Sequence, residues 1–196
     1  MLVRAHSFAI DRGAAEHVDV ELDLRAGLPG LAVIGLGGGP ARDLRERVQA
    51  AVLNSGFGFP RRRGTVNIAP ATRRGGTELD LAVACCVLAA GGNLDHTRLE
   101  RVGLCAELGL GGELRACGSA AAVAEAAAHA GLVGLVVASG DRQGAELADC
   151  IAVAGARTLR DVVSLLVSSR RQPERGPPAE RMEARRASAV RADRAS

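Results

Sequence analysis

The sequence predicts an α/β (α+β) fold in which a mixed β-sheet is covered by helices. The clearest sign is His17–Arg25, where polar and apolar residues alternate with the period of a half-buried strand. The second half of the chain repeats a strand-then-helix pattern, which brings parallel strands into a sheet. Apolar residues make up 47% of the chain and aromatic residues only 2%, so small aliphatic side chains must fill the core.

Four strands and one helix are predicted within residues 1–69. Alternation or a short apolar run predicts the strands at 3–10, 17–25, 31–36 and 65–69. The helix follows a glycine-rich break after the third strand, and its apolar face consists of Leu44, Val48, Ala51 and Val52. Gly56 is suited to end this helix in a left-handed conformation. Pro70 is expected to stop the fourth strand.

The rest of the chain adds helices and a hairpin. A mostly apolar helix at 79–90 is expected to be buried, with Thr77 as its N-cap. Segments 102–110 and 113–117, joined by two glycines, are predicted to pair as a hairpin. Helices and strands then alternate at 119–130, 134–138, 142–147, 150–154 and 159–167. Together with the first half, this order gives a sheet with both parallel and antiparallel pairs.

The chain is predicted to consist of one domain at 1–169 and a tail at 170–196. The tail holds eight arginines, four acidic residues and three prolines, with almost no large apolar side chains. Such a segment cannot bury enough surface to offset the entropy lost on ordering, so we expect a disordered tail or linker remnant. The domain keeps seventeen arginines and eighteen acidic residues, so only the tail is basic.

Residue content disfavours several kinds of site. The chain contains no lysine, which excludes a G-x-x-x-x-G-K-[ST] phosphate loop and a lysine base. Its five cysteines form no C-x-x-C pair and its four histidines are widely spaced, so we expect reduced cysteines and no zinc site. We therefore expect no catalytic residue, no metal and no cofactor. No signal peptide or membrane-spanning run is recognisable, which predicts a cytoplasmic protein without a membrane partner.

A series of short stretches resembles one known family across about residues 1–168. In chain order they are Ala5-His6-Ser7, Val20–Leu24, Gly27-Leu28-Pro29, Val33–Leu36, Arg45–Val48, Asn54-Ser55-Gly56, Val66–Ala71, Asp80-Leu81, Gly112–Arg115 and Thr158-Leu159. No single stretch is specific, but their order and spacing together are. They resemble the N-terminal domain of the magnesium-chelatase-like AAA+ ATPases, the family of YifB and the competence protein ComM.

This resemblance implies the fold of the Lon protease C-terminal domain, a ChlI-like two-layer βα arrangement. It also implies an AAA+ module that follows the domain and hydrolyses ATP, in hexameric motors that drive DNA branch migration during natural transformation. The chain ends before such a module could begin, so we expect a truncated or split protein whose ATPase partner is encoded separately. Departures from the family pattern at Gly37–Gly39 and Arg73–Gly76 bear on any partner contact through those loops. Homo-oligomerisation is left open.

Two catalytic or binding motifs are incomplete. A Lon-like protease needs a serine and a lysine, which the resemblance would place at Thr77 and near Ala121, and neither residue type is present there. Gly35–Gly39 lies between a strand and a helix, as dinucleotide loops do, but the third glycine of G-x-G-x-x-G falls on Pro40. A plain strand-to-helix turn is the preferred interpretation. Asp80 is expected to complement the helix dipole or to pair with an arginine.

Arginines flank the predicted strand at 65–69 and are the candidate contact residues: Arg61, Arg62, Arg63, Arg73 and Arg74. If both loops lie at one end of the sheet, they form a basic patch for DNA phosphates or for an acidic face of a neighbouring subunit. The alternative is a pair of solvated loops. No aromatic residues are interleaved with them, so we do not expect bases to stack there.

Three functions are consistent with this sequence. The first is a non-catalytic accessory domain of a ComM- or YifB-like ATPase, which predicts no ATP hydrolysis by the purified chain. The second is a stand-alone DNA-associated binding module that uses the arginine loops. The third is a degenerate Lon-like hydrolase with a relocated nucleophile.

Overall fold

A computed structural model describes residues 1–72 and 76–168. Its elements, in chain order, are β1 (Leu2–Asp11), β2 (Ala14–Arg25), β3 (Gly30–Leu36), α1 (Gly38–Asn54), β4 (Arg63–Thr72), α2 (Asp80–Ala90), β5 (Val102–Cys105), β6 (Glu107–Leu108), β7 (Leu114–Arg115), α3 (Ala120–His129), β8 (Gly134–Ala138), α4 (Arg142–Glu146), β9 (Ala152–Ala156) and α5 (Leu159–Ser168). Turns of 3₁₀ helix precede α2 (Thr77–Leu79) and β5 (His96–Arg101). The predicted tail at 170–196 lies outside the described residues.

Seven of these strands form one mixed sheet in the order β3-β4-β2-β1-β5-β8-β9. β2 pairs antiparallel with β1 and β4, and the other neighbours in the sheet run parallel. β6 and β7 form a separate antiparallel pair. The predicted mixed α/β sheet covered by helices is confirmed. Within the described residues, the helices all lack the combination of length and apolar character needed to cross a bilayer.

Helices cover both faces of the sheet. On one face, α1, α2 and α5 share a core with the inward residues that alternation in β2 predicted: Val18, Val20, Leu22 and Leu24. On the other face, α3 shares a second core with Phe8 of β1 and with Leu135 and Val137 of β8. Val136, between those two, belongs to the first core, because successive strand residues point to opposite faces. The second face adds a layer to the two-layer arrangement that the resemblance implies.

The first two helices follow their predicted patterns. The buried residues of α1 are the predicted Leu44, Val48, Ala51 and Val52. Gly56, just beyond α1, has φ +80°, a conformation that favours glycine. In α2, every residue from Asp80 to Ala89 is buried, which explains why its sequence shows no polar face.

Two predicted strand boundaries, the end of β4 and the start of β9, are wrong. β4 does not stop at Pro70 but continues to Thr72. Its ladder with β2 ends at Ala69, so the missing N–H of Pro70 removes no bond to β2. β9 begins two residues later than predicted, because Asp149 has φ +47° and the chain still bends at Cys150 and Ile151.

The hairpin predicted at 102–117 is mostly wrong. Its first arm is divided at Ala106 into β5, which lies between β1 and β8 in the main sheet, and the short β6. The Ala106 N–H donates to Glu78 O, and its carbonyl accepts from the Leu81 N–H, both at 3.3 Å. These bonds tie the chain at Ala106 to the turn that enters α2, so only the two residues of β6 remain to pair with β7.

Candidate functional site

Polar side chains gather where the chain enters α2. Asp80 is fully buried, and Arg47 of α1 donates to it from Nε (2.7 Å to Oδ2) and from Nη2 (3.1 Å to Oδ1). The Leu108 backbone N–H also donates to Oδ2, at 3.3 Å. Of the two expected roles for Asp80, pairing with an arginine is therefore present. The pair joins α1 to α2, and both of its residues belong to stretches that carry the family resemblance.

The protonation of this pair follows from its burial. Burial raises the pKa of Asp80 to about 6, and the guanidinium of Arg47 opposes that rise. The hydrogen bonds to Asp80 in turn raise the pKa of Arg47. At neutral pH the carboxylate is ionised and its charge is balanced by Arg47, so it is not a free general base.

Thr77 does not cap α2 as predicted, because the 3₁₀ turn at Thr77–Leu79 separates it from the helix. Its hydroxyl instead donates to Glu107 Oε2 at 2.6 Å. Arg115 Nη1 binds the other oxygen of Glu107 at 3.2 Å. The position where the resemblance would place a protease nucleophile thus holds a hydroxyl bonded to a carboxylate, and that carboxylate is also paired with an arginine.

Glu78 links the 3₁₀ turn before α2 to β1 by a hydrogen bond. Its side chain is buried, and Oε1 accepts from the backbone N–H groups of Gly76 (3.2 Å) and Ile10 (3.3 Å). Ser7 of β1, also buried, donates its hydroxyl to Leu104 O at 2.8 Å. Both side chains satisfy the polar backbone around them, which is what buried polar groups must do.

The cysteines are free thiols, of which Cys117 is half-buried and the other four are buried. Burial raises the pKa of Cys85 to about 12 and holds that of Cys86 well above its usual range. Cys105 is hydrogen-bonded to Cys117, and this bond, with burial, raises the pKa of Cys105 strongly. Thiols with raised pKa values are poor nucleophiles.

Other sequence stretches that carry the family resemblance are connected by hydrogen bonds between α1, the β6–β7 turn and α5. Asn54 Nδ2 donates to Leu110 O at 2.8 Å, and Arg160 Nε donates to Ser55 O at 2.7 Å. The Leu159 N–H donates to Gly112 O at 2.8 Å. These hydrogen bonds connect segments that are distant in sequence. Some of the stretches that carry the resemblance therefore have a structural role.

The glycine-rich turn at 35–39 serves the packing of β3 on β4. Gly35 has φ +89°, and a Cβ built there would overlap the backbone oxygen of Ile68 in β4. The pairing of β3 with β4 shifts register between Ile34 and Leu36. This geometry requires glycine without any bound phosphate and supports the plain-turn interpretation.

Of the five candidate arginines, the structure describes three, Arg61, Arg62 and Arg63. Arg63 is the first residue of β4 and Thr72 is the last, so the two ends of this strand are roughly 30 Å apart. Arg73 and Arg74 lie outside the described residues. Arg61 and Arg62 precede β4 and, like Arg63, are exposed. Among the described residues, these three form no ion pair.

One cluster was missed by sequence reasoning. His6 and Asp19 are opposite each other in the β1–β2 ladder, and His17 is opposite Phe8, so two histidines and a carboxylate meet on one face of the sheet. The widely spaced histidines gave no zinc signal along the chain. The feature that could have revealed the cluster is the hairpin turn at 12–13, because it brings His6 and His17, which are eleven residues apart in the chain, close together.

Comparisons with known proteins agree with the family resemblance that the sequence stretches indicate. A family model described as subunit ChlI of Mg-chelatase matches residues 20–141. An uncharacterized protein of Mycobacterium tuberculosis is 37% identical over 169 residues, covering 86% of this chain and 34% of that protein. Competence protein ComM of Haemophilus influenzae is 34% identical over 157 residues (80% and 31%), and YifB of Salmonella typhimurium is 38% identical over 118 (60% and 23%). The chain thus spans about a third or less of these relatives.

Proposed function

The chain belongs to the ChlI family of Mg-chelatase subunits, together with YifB and ComM, and we propose that its domain is a non-catalytic accessory to an AAA+ ATPase. In this proposal an AAA+ module, in the same polypeptide or encoded separately, binds and hydrolyses ATP. The domain positions or regulates the ring that the module forms. The process served is the one implied for ComM-like proteins, ATP-driven DNA branch migration in natural transformation.

The observation that carries the proposal is that the polar side chains at the start of α2 are already paired with other side chains. Asp80 is balanced by Arg47, and the hydroxyl of Thr77 is bonded to Glu107. A nucleophile needs a base that is free to take its proton, and these carboxylates are already paired with arginines. The sequence also holds no lysine to serve as the base of a Lon-like dyad.

Labelling with a fluorophosphonate, which reacts with serine or threonine nucleophiles activated by a base, tests the absence of hydrolase chemistry. We expect the folded chain to remain unlabelled under conditions that fully label a known serine hydrolase. A Thr77→Val variant is the matched control. Labelling of the wild-type chain would support the degenerate hydrolase instead, with Thr77 as the nucleophile if labelling disappears in Thr77→Val and with a relocated nucleophile if it persists.

A second candidate, a DNA-associated binding module, is favoured by the exposure of Arg61, Arg62 and Arg63 without an ion pair among the described residues. Three neighbouring guanidinium groups at one end of the sheet attract phosphates without reading sequence. Asp23 of the neighbouring strand β2 is already paired with another arginine, since Arg25 Nε binds its carboxylate at 2.5 Å. The basic tail would add to such binding.

Replacing Arg61, Arg62 and Arg63 with serine tests this candidate. If they contact DNA, duplex binding weakens and the slope of log K against log salt falls by up to ~0.9 for each lost phosphate contact. Filter retention at several salt concentrations measures both, with and without residues 170–196. The matched control removes three other exposed arginines, Arg12, Arg42 and Arg157. Equal losses in both variants would mean that only net charge matters.

A further inference from the structure

Two histidines and an aspartate face one another on the side of the sheet that carries α3. His6 comes from β1, and His17 and Asp19 come from the neighbouring strand β2. His6 Nδ1 lies 3.0 Å from His17 Nε2 and 3.1 Å from Asp19 Oδ1, and His17 Nε2 lies 3.8 Å from Asp19 Oδ1. Three side chains on paired strands therefore direct one ligand atom each toward a common point.

These three separations fit a zinc ion. Zinc is bound tetrahedrally by imidazole nitrogen and carboxylate oxygen at about 2.0–2.2 Å, which puts neighbouring ligand atoms roughly 3.3–3.5 Å apart. The observed separations of 3.0, 3.1 and 3.8 Å lie on both sides of that value. Small rotations of the side chains would equalise them. Asp19 is half exposed, with 54% of its side chain accessible, so a fourth position can open to solvent.

A backbone hydrogen bond orients His6 for this role. His6 Nε2 lies 3.1 Å from Glu100 O, and a carbonyl can only accept, so the Nε2 proton is fixed by this contact. In the neutral ring, Nδ1 then carries a lone pair that points at His17 and Asp19. Histidine ligands of metals usually donate their other N–H to a carbonyl or carboxylate in the same way. Without a metal, a proton carried by His6 Nδ1 or by His17 Nε2 makes these contacts hydrogen bonds, and a metal ion would take the place of that proton.

His17 is also prepared to act as a ligand. The His17 ring is packed at 5.9 Å between centroids from Phe8, so its position is restricted before any metal arrives.

We propose that His6, His17 and Asp19 bind one Zn²⁺ ion, with Glu100 O orienting His6 and a fourth coordination position open to solvent. This site is separate from the start of α2 and is independent of the proposed accessory role. A fourth ligand from water or from a partner protein would complete the tetrahedron. The ion would link β1 to β2 across the middle of the sheet.

Equilibrium dialysis of the full chain against buffered Zn²⁺, followed by metal analysis, tests the site. We expect one zinc per chain, and more than about tenfold weaker binding in His17→Gln, because even lost second-shell partners cost ~10–100-fold in metal affinity. Asp19→Asn should also weaken binding. It is the safer variant for folding because its side chain is half exposed. His96→Gln is the matched control, since His96 is exposed and 3.9 Å from Asp95 but has no second histidine.

Substitution of Co²⁺ distinguishes this site from binding by cysteine, because thiolate ligands give an intense charge-transfer absorption that imidazole and carboxylate ligands do not. We expect a visible tetrahedral spectrum without that absorption. Zinc bound equally by wild type and Asp19→Asn would overturn the proposal, as would a thiolate spectrum or no binding at all. Circular dichroism of each metal-free variant identifies any that fails to fold. If His17→Gln does not fold, the zinc affinity of Asp19→Asn decides whether the proposal stands.

Discussion

Replacing Arg47 with alanine is expected to lower the free energy of unfolding by about 3 kcal/mol, because breaking a buried ion pair leaves one charge unpaired. Among the residues that the structure describes, Asp80 would keep only the Leu108 N–H as a hydrogen-bond partner, at 3.3 Å, and its side chain has no exposure to water. Arg47 itself is 24% exposed, which places the expected loss at the lower end of the range for buried pairs. Denaturant unfolding followed by circular dichroism measures the loss.

Two comparisons separate this effect from a simple loss of packing. Arg45→Ala, two residues earlier on α1, removes only an exposed pair with Glu46 and should change stability by less than about 1 kcal/mol. Removing Arg47 also raises the pKa of Asp80 beyond about 6. Because the unfolded carboxyl ionises at lower pH, stability falls as pH rises toward the folded pKa, and it falls further in the variant. The deficit of Arg47→Ala should therefore be larger at pH 8 than at pH 5, and a constant deficit would contradict the account.

Gly35→Ala is expected to destabilise the domain by about 3 kcal/mol or more, through strain at a left-handed backbone position together with overpacking. Gly35 has φ +89°, and the added Cβ would overlap the backbone oxygen of Ile68 in the neighbouring strand. That oxygen belongs to a buried residue, so relief requires β3 to move away from β4. Thermal or denaturant unfolding measures the effect.

Gly38→Ala is the matched control within the same glycine-rich turn. Gly38 begins α1, has no atom within 4 Å of a built Cβ and does not have a positive φ, so alanine should be neutral or stabilise by up to ~1 kcal/mol. Equal unfolding midpoints for Gly35→Ala and wild type would show that the turn is not held by this contact. Such a result would contradict the plain-turn interpretation of Gly35–Gly39.

Local patterns predicted much of the fold because they are set by neighbours along the chain. Alternation in β2 and the spacing of Leu44 and Val48 in α1 report directly which side faces the core. Errors arose where a distant segment decides the local structure. Ala106 leaves the predicted hairpin because the turn before α2 offers it backbone partners, and no property of the neighbouring residues reveals that.

The candidate sites were less predictable than the fold. Asp80 was singled out, but its partner Arg47 is thirty-three residues away on another helix, and the sequence does not specify how the two helices pack. The histidine cluster depends on the register of β1 with β2, which a shift of one residue would destroy. The candidate arginines flank β4 in the sequence, and the length of this ten-residue strand decides how far apart its two ends lie.

The rate of ATP hydrolysis by an AAA+ module of a YifB or ComM relative, measured while this chain is added, tests the accessory role most directly. The account predicts no turnover above the blank for the chain alone, and a change in the module's rate that saturates at a fixed ratio of chain to module. Turnover by the chain alone that survives further purification would contradict it. So would a module rate that stays constant at every concentration of the chain.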